Sequence, residues 1–318
     1  MNGKNDTNEI VFGPVPSRRL GRSLGINNIP EKNCSYSCIY CQVGKTDRLT
    51  SKRNEFYNPG KIFGEVSRKL QYLKKTREKI DYITFVSDGE PTLDINIGKS
   101  IGKLKSTGIK IAVITNSSML WDKETRNDLM KADLVSVKID TADPETWHRI
   151  NRPHGRLNLE EIIAGIIEFS RLFSGKLVTE TMLVKDINDS IKSVTETAKT
   201  IRKINPAVSY ILVPTRPPAE KYVSAPPDGI INRAYQIYNT AAGKTELIIY
   251  SEGTEFTFME DKERELLGIL AVHPMQYDAL HEYLRKSHSD IKFVNRLIKE
   301  NILTKVKYGN KYFLMKKY

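Results

Sequence analysis

The 318-residue chain predicts an α/β fold, a partial (β/α)6 TIM-like barrel followed by a small winged-helix-like domain. Three observations carry that prediction. Short apolar runs alternate with amphipathic segments whose apolar residues recur three and four apart, the pattern of β-then-α units and hence of a parallel sheet with right-handed crossovers. The chemically unusual residues sit just after the apolar runs, where parallel α/β folds gather ligands at the C-terminal ends of their strands. Beyond residue 253 the pattern changes to three helical stretches and a hairpin.

Taken in order, the strands are Ser23 to Ile29, Ile80 to Val86, Lys110 to Thr115, Leu134 to Ile139, Lys176 to Leu183 and Ser209 to Val213. Between them Gly64 to Lys74, Ile95 to Thr107, Asp122 to Met130, Leu159 to Phe173 and Asp189 to Ile204 read as helices. Six units are too few for a closed eight-stranded barrel, and Leu247 to Tyr250 offers a closing strand. The stretch Val213 to Pro227 carries Pro214, Pro217, Pro218, Pro226 and Pro227, so it can be neither a helix interior nor a central strand and reads as a rigid loop. After Ser251-Glu252-Gly253 come helices at 260–272, 274–286 and 290–301, then a hairpin with Leu303 to Lys307 and Tyr312 to Met315 as its strands and Tyr308 to Lys311 as the wing turn. The expected domains are therefore 1–252 and 253–318. In the last helix Ile291, Val294, Leu297 and Ile298 should face the core, with Lys292, Asn295, Arg296 and Lys299 outward.

Composition narrows the function. With 39% hydrophobic residues the chain can bury a sizeable core, and it has no apolar run of 18 residues and no apolar leader at its polar N-terminus. A cytoplasmic location is expected. A formal charge of +12 favours anionic partners, nucleic acid foremost, although a Lys-rich surface alone can produce it. The three cysteines lie within eight residues of one another, which excludes a secreted disulfide framework.

Cys34, Cys38 and Cys41 stand at i, i+4 and i+7 in a short loop after the first strand. Three thiolates can hold three irons of a [4Fe–4S] cube and leave the fourth open to a substrate or cosubstrate. Two other readings exist: a zinc site, which would have to borrow His148 or His154 as fourth ligand, and three inert buried thiols.

The segment Asn33-Cys34-Ser35-Tyr36-Ser37-Cys38-Ile39-Tyr40-Cys41 resembles the C-x3-C-x2-C signature of the radical S-adenosylmethionine (SAM) superfamily, with an aromatic before the last cysteine. The resemblance extends to Asp88-Gly89-Glu90-Pro91, similar to the family's Gly-Gly-Glu motif with Asp88 in place of the first Gly, and implies that Gly89 and Glu90 meet the SAM amino group. It implies a polar SAM contact for Thr115-Asn116-Ser117, carboxylate and ribose contacts for Lys138 and Asp140, and adenine contacts for Val213 and for Ile39 or Tyr40. Phe12 to Asn27 and Asn151-Arg152-Pro153-His154 resemble the Fe–S oxidoreductase group related to the wyosine-synthesising tRNA enzyme. No cysteine remains for that enzyme's second cluster.

The resemblance implies cofactors, a [4Fe–4S] cluster and SAM, and a flavodoxin- or ferredoxin-type reductant. It implies reductive cleavage of SAM to a 5′-deoxyadenosyl radical that takes hydrogen from a substrate. Modification of tRNA or another RNA is the first expectation, modification or activation of a protein or peptide the second, and a non-catalytic Fe–S DNA-binding regulator the third. Arg18, Arg19, Arg22, Arg152 and His154 could clamp a phosphate or carboxylate, or form surface ion pairs. The acting catalytic residue stays unassigned.

Overall fold

A computed structural model describes residues 10–30, 32–249 and 262–317. In chain order β1 (Val11–Ser17) and β2 (Gly21–Ile26) form a hairpin, and β3 (Asn33–Cys34) pairs with β4 (Arg48–Leu49). Then follow α1 (Pro59–Lys75), β5 (Tyr82–Phe85), α2 (Ile97–Leu104), β6 (Lys110–Thr115), α3 (Lys123–Leu129), β7 (Leu134–Lys138), α4 (Pro144–Asn151), α5 (Leu159–Leu172), β8 (Lys176–Met182), α6 (Ile191–Ile204), β9 (Val208–Leu212), α7 (Asp228–Ala241) and β10 (Thr245–Ile248). These strands build one sheet in the order β1-β2-β5-β6-β7-β8-β9-β10, parallel throughout except for the antiparallel β1–β2 pair.

The helices cover one face of the sheet. Ile111, Val113, Val135, Val137, Leu177 and Ile211 point to that face and share a core with Ile101, Ile166, Ile201 and Tyr238. Asp122, Asp143, Asn158 and Ser190 cap α3, α4, α5 and α6 by accepting from first-turn amides, satisfying donors that a helix cannot satisfy itself. On the opposite face Ala112, Leu134, Val178, Val208, Tyr210 and Ile248 pack around Leu20, which the β1–β2 turn tucks against the N-terminal ends of the parallel strands. That face is thereby filled at one end and open at the other.

The final segment contains α8 (Lys262–Val272), β11 (Met275–Gln276), α9 (Tyr277–Lys286), α10 (Ile291–Lys299), β12 (Leu303–Tyr308) and β13 (Lys311–Lys316), with a small antiparallel sheet in the order β11-β13-β12. Its core takes in Leu266, Ile269, Leu280, Tyr283, Val294, Leu297, Leu303 and Leu314, and it reaches Phe12 of β1. A buried Lys69–Glu265 ion pair ties α8 to α1.

The expected strands and helices are present, with two kinds of departure. The first strand ends at Ile26, because Asn27 and Asn28 turn their amides to Asp88, Pro91 and Asp94. Beyond the two-residue strands β3, β4 and β11, three longer elements lay outside the expectation. Pro14 and Pro16 mask β1, which an edge strand tolerates because only one side needs ladder hydrogen bonds. The eight residues of α4 begin on Pro144, and α7 follows the Pro-rich loop, with Ile231, Ala234 and Tyr238 on its buried face. Ile291, expected inside, is exposed in the first turn of α10, whereas Val294 and Leu297 are buried. Tyr250 of the proposed closing strand and the 252/253 boundary lie outside the described residues. No helix among the described residues is long and apolar enough to cross a membrane.

Candidate active site

The cysteine loop is held from behind by the C-terminal end of α4 and the residues that follow it. Ser37 N donates to Asn151 O at 3.0 Å, Ile39 N to Ile150 O at 3.0 Å, and His154 N to Ser35 O at 2.9 Å. Asn151 is the centre of this backing. Its Nδ2 lies 3.4 Å from Cys38 Sγ, 3.2 Å from Tyr40 Oη and 2.7 Å from Asp140 Oδ2. The expected Asn-Arg-Pro-His stretch is thus a brace for the loop. Arg152 turns outward to Glu220 and Tyr222, and His154 Nδ1 meets Ser51 Oγ.

At the open end of the concave face lies a cavity of about 270 Å3. Its wall brings together Cys34, Cys38, Tyr40 and Cys41 from the loop, Gly89 and Glu90 after β5, Asn116 after β6, Lys138 at the end of β7, and Val213 after β9. Gly89 is required by close approach: a Cβ there would fall 1.9 Å from Asn33 O in the cysteine loop. Buried Glu90 accepts from Thr92 N, Thr92 Oγ1 and Thr115 Oγ1 on Oε1 and from Asn116 N on Oε2, at 2.6 to 3.0 Å. Burial raises the pKa of its carboxyl, and these four donors oppose the rise. Asn116 Nδ2 in turn lies 3.4 Å from Cys34 Sγ.

Two expected contacts stand behind the wall. Ser117 accepts from Lys138 N at 2.7 Å and fixes the end of β7. Asp140 is 4% exposed, accepts from Met182 N and Asn151 Nδ2, and receives the Tyr40 hydroxyl, so both its oxygens serve protein groups. The Ile39 carbonyl accepts from Glu220 N of the Pro-rich loop at 3.0 Å.

Of the arginines before the cysteine loop, Arg18 and Arg19 line the far end of the cavity, while Arg22 pairs with Glu78 and is not among its lining residues. Glu180, which the sequence did not single out, accepts from both Arg19 and Ser136 Oγ in that far end. Another link also escaped sequence reading. Gln42, next to Cys41, donates to Val272 O at 2.7 Å and accepts from Arg216 at 2.6 Å, and Arg216 meets His273 Nε2 at 2.6 Å. The cysteine loop is therefore fastened to the end of α8. Only the position of Gln42 beside Cys41 hinted at this, since its partners are 174 and 230 residues away.

Burial pushes all three thiols up, Cys38 to about 12 with the Asp140 carboxylate adding to the effect. Such thiols release their protons when metal takes their place. No group of three or more described His, Cys, Asp and Glu residues could hold one metal ion. Zinc needs four ligands on a single ion, whereas in a cube each thiolate takes a different iron.

Behind Glu90, Asp94 accepts from Asn96 N at 2.9 Å and Asn28 Nδ2 at 3.1 Å, and burial raises its pKa to about 6. A carboxyl whose pKa is raised by folding adds stability below its unfolded pKa and loses it as pH rises through the folded value. Between pH of about 4 and about 6, wild type should lose about 2 kcal/mol relative to Asp94→Asn. Urea unfolding of both proteins at the two ends of that window checks it, and parallel pH profiles would contradict it.

The family model of the radical SAM superfamily matches residues 29–199. The chain is 46% identical over 309 residues to a UPF0026 protein of Methanocaldococcus jannaschii, covering 96% of each chain. Among solved structures, a radical SAM methyltransferase from Sphaerobacter thermophilus is similar with a TM-score of 0.56 over 73% of this chain and 67% of that one, at 16% identity. TYW1 with a lysine–pyruvate adduct bound is similar with a TM-score of 0.51 over 69% of this chain and 73% of that one, at 15% identity. At such identities the likeness is one of fold.

Proposed function

The chain belongs to the radical SAM superfamily, whose members use a [4Fe–4S] cluster and SAM, and from that premise we propose that it is an enzyme acting on RNA, with tRNA the first substrate to test. The observation that carries the catalytic reading is the convergence of Cys34, Cys38 and Cys41 with Glu90, Asn116, Lys138 and Val213 on one cavity. A cluster held by Cys34, Cys38 and Cys41 would supply one electron, taken from a flavodoxin- or ferredoxin-type reductant, for reductive cleavage of SAM and hydrogen abstraction from substrate.

The residues of the chain position and shield. Cys34, Cys38 and Cys41 bind iron as thiolates, and Asn116 and Asn151 orient amides toward two of the sulfurs. Glu90, already held by four donors, offers carboxylate charge to an ammonium. Lys138 presents its ammonium, 5.2 Å above the Tyr40 ring, to an anionic group in the cavity. Asp140 and Ser117 act as positioning residues for Tyr40 and Lys138.

The RNA reading is supported by the net charge of +12 and by the basic C-terminal segment, which we read as a winged-helix module, with residues 1–252 as the partial-barrel catalytic domain and 253–318 as the substrate-gripping domain. The test is anaerobic reconstitution followed by chromatography for 5′-deoxyadenosine after adding SAM and dithionite, with and without bulk tRNA. Formation of 5′-deoxyadenosine is expected, with stimulation by tRNA. A fully loaded protein that forms none would refute the catalytic reading, and stimulation by a peptide pool in place of RNA would redirect the substrate.

A further inference from the structure

We propose that the exposed end of the β12–β13 hairpin, with Lys305, Lys307 and Tyr312 on one face and Lys311 on the other, is together with Tyr277 the surface that grips RNA, holding an unpaired stretch beside the mouth of the cavity. The proposal rests on the RNA reading above and names the part of the chain that would carry it. Between Thr304 and Lys317 there are five lysines and no acidic residue. Lys305, Lys307 and Lys311 of these are exposed.

The lysines are interleaved with aromatic rings. Lys305 Nζ lies 4.4 Å from the ring centroids of both Tyr277 and Tyr312, and the two rings meet edge to face with centroids 6.4 Å apart. Tyr312 is 46% exposed and stands directly across from Lys307 in the ladder. Cation and ring held together in this way make a platform on which a base can stack while neighbouring lysines meet phosphates.

On the adjacent helices Arg296 of α10 pairs with Glu263 and Glu300, and Arg285 of α9 with Glu282, while Lys292 and Lys299 of α10 are exposed. What sets the hairpin apart is the exposed Tyr312 ring beside its lysines, which favours stacking on unpaired RNA over readout of a duplex. Location supplies the functional link. Tyr308 Oη donates to Pro214 O at 3.3 Å, and Pro214 lines the cavity with Val213 and Arg216. A strand gripped by the hairpin is thus held next to the site of chemistry.

The experiment uses the full-length protein and fluorescence anisotropy with a labelled single-stranded oligoribonucleotide, and bulk tRNA as competitor, across a salt series. Lys307→Glu/Lys311→Glu should weaken binding at least tenfold and flatten the salt dependence by about 0.7 in slope per lost phosphate contact. Tyr312→Ala should weaken it by about fivefold or more while Tyr312→Phe, which keeps the ring, stays near wild type. Lys199→Glu/Lys203→Glu on α6 changes net charge by the same amount at a distant surface and should bind like wild type. Equal losses in the hairpin and α6 variants, or wild-type binding by the hairpin variants, would overturn the proposal alone. Failure of wild type to bind either RNA would overturn the RNA reading itself.

Discussion

Replacing Cys38 with alanine should reduce 5′-deoxyadenosine formation to background and leave the purified protein without a full complement of iron. The expectation follows from counting ligands. Cys34, Cys38 and Cys41 are the chain's only cysteines, so no thiol can substitute for a lost one. Cys38 is also the sulfur to which Asn151 points its amide, and its loop is pinned to the C-terminal end of α4 at Ser37 and Ile39. With that backbone support intact, the Cys38→Ala protein should fold, keep its circular dichroism spectrum and lose only the cluster. Iron and sulfide analysis with electron paramagnetic resonance of the reduced protein separates this from unfolding. Wild-type iron content and activity in the variant would refute the ligand assignment.

Glu90→Ala should be the next most damaging change, because two costs coincide. The side chain is 1% exposed and satisfies the backbone amides of Thr92 and Asn116 as well as two threonine hydroxyls. Buried donors left without acceptors cost about 1 to 3 kcal/mol each, and the two backbone amides, which unlike the hydroxyls cannot rotate to another acceptor, set a destabilisation of about 2 to 6 kcal/mol before any effect on chemistry. Loss of the carboxylate also removes the group proposed to meet the SAM ammonium. Glu90→Gln separates the two. It keeps one acceptor and the side-chain volume, so its melting temperature should fall by less than that of Glu90→Ala, while SAM affinity falls at least tenfold in both. Calorimetric titration with SAM and thermal unfolding of the two variants provide the check, and wild-type SAM affinity in Glu90→Gln would remove Glu90 from the binding site.

How far this site can be read from sequence depends on what each residue answers to. The cysteine spacing, the Gly89-Glu90 turn and the strand-terminal Asn116 and Lys138 are local, and the parallel sheet carries them to one cavity. The strands were legible because their mostly apolar runs answer to burial on both faces, Ile111, Val135 and Ile211 on one and Ala112, Leu134 and Tyr210 on the other. What stayed hidden depends on contacts between distant parts. Asp140, for which the family resemblance implies a ribose contact, also accepts from Met182, Tyr40 and Asn151, partners that its position after β7 does not announce. The Arg19–Glu180 pair spans 161 positions, and no periodicity announces it. The edge strand β1 was concealed by its prolines, whose cost disappears only once it is known to have a neighbour on one side.

The seating of Leu20 against the N-terminal ends of the strands also bears on kinetic order. With that end filled, a small cosubstrate and the proposed large one would share the doorway beside the C-terminal hairpin. The small one would go in first, and its spent fragments would leave only after the large one steps aside, so turnover would follow a compulsory sequence.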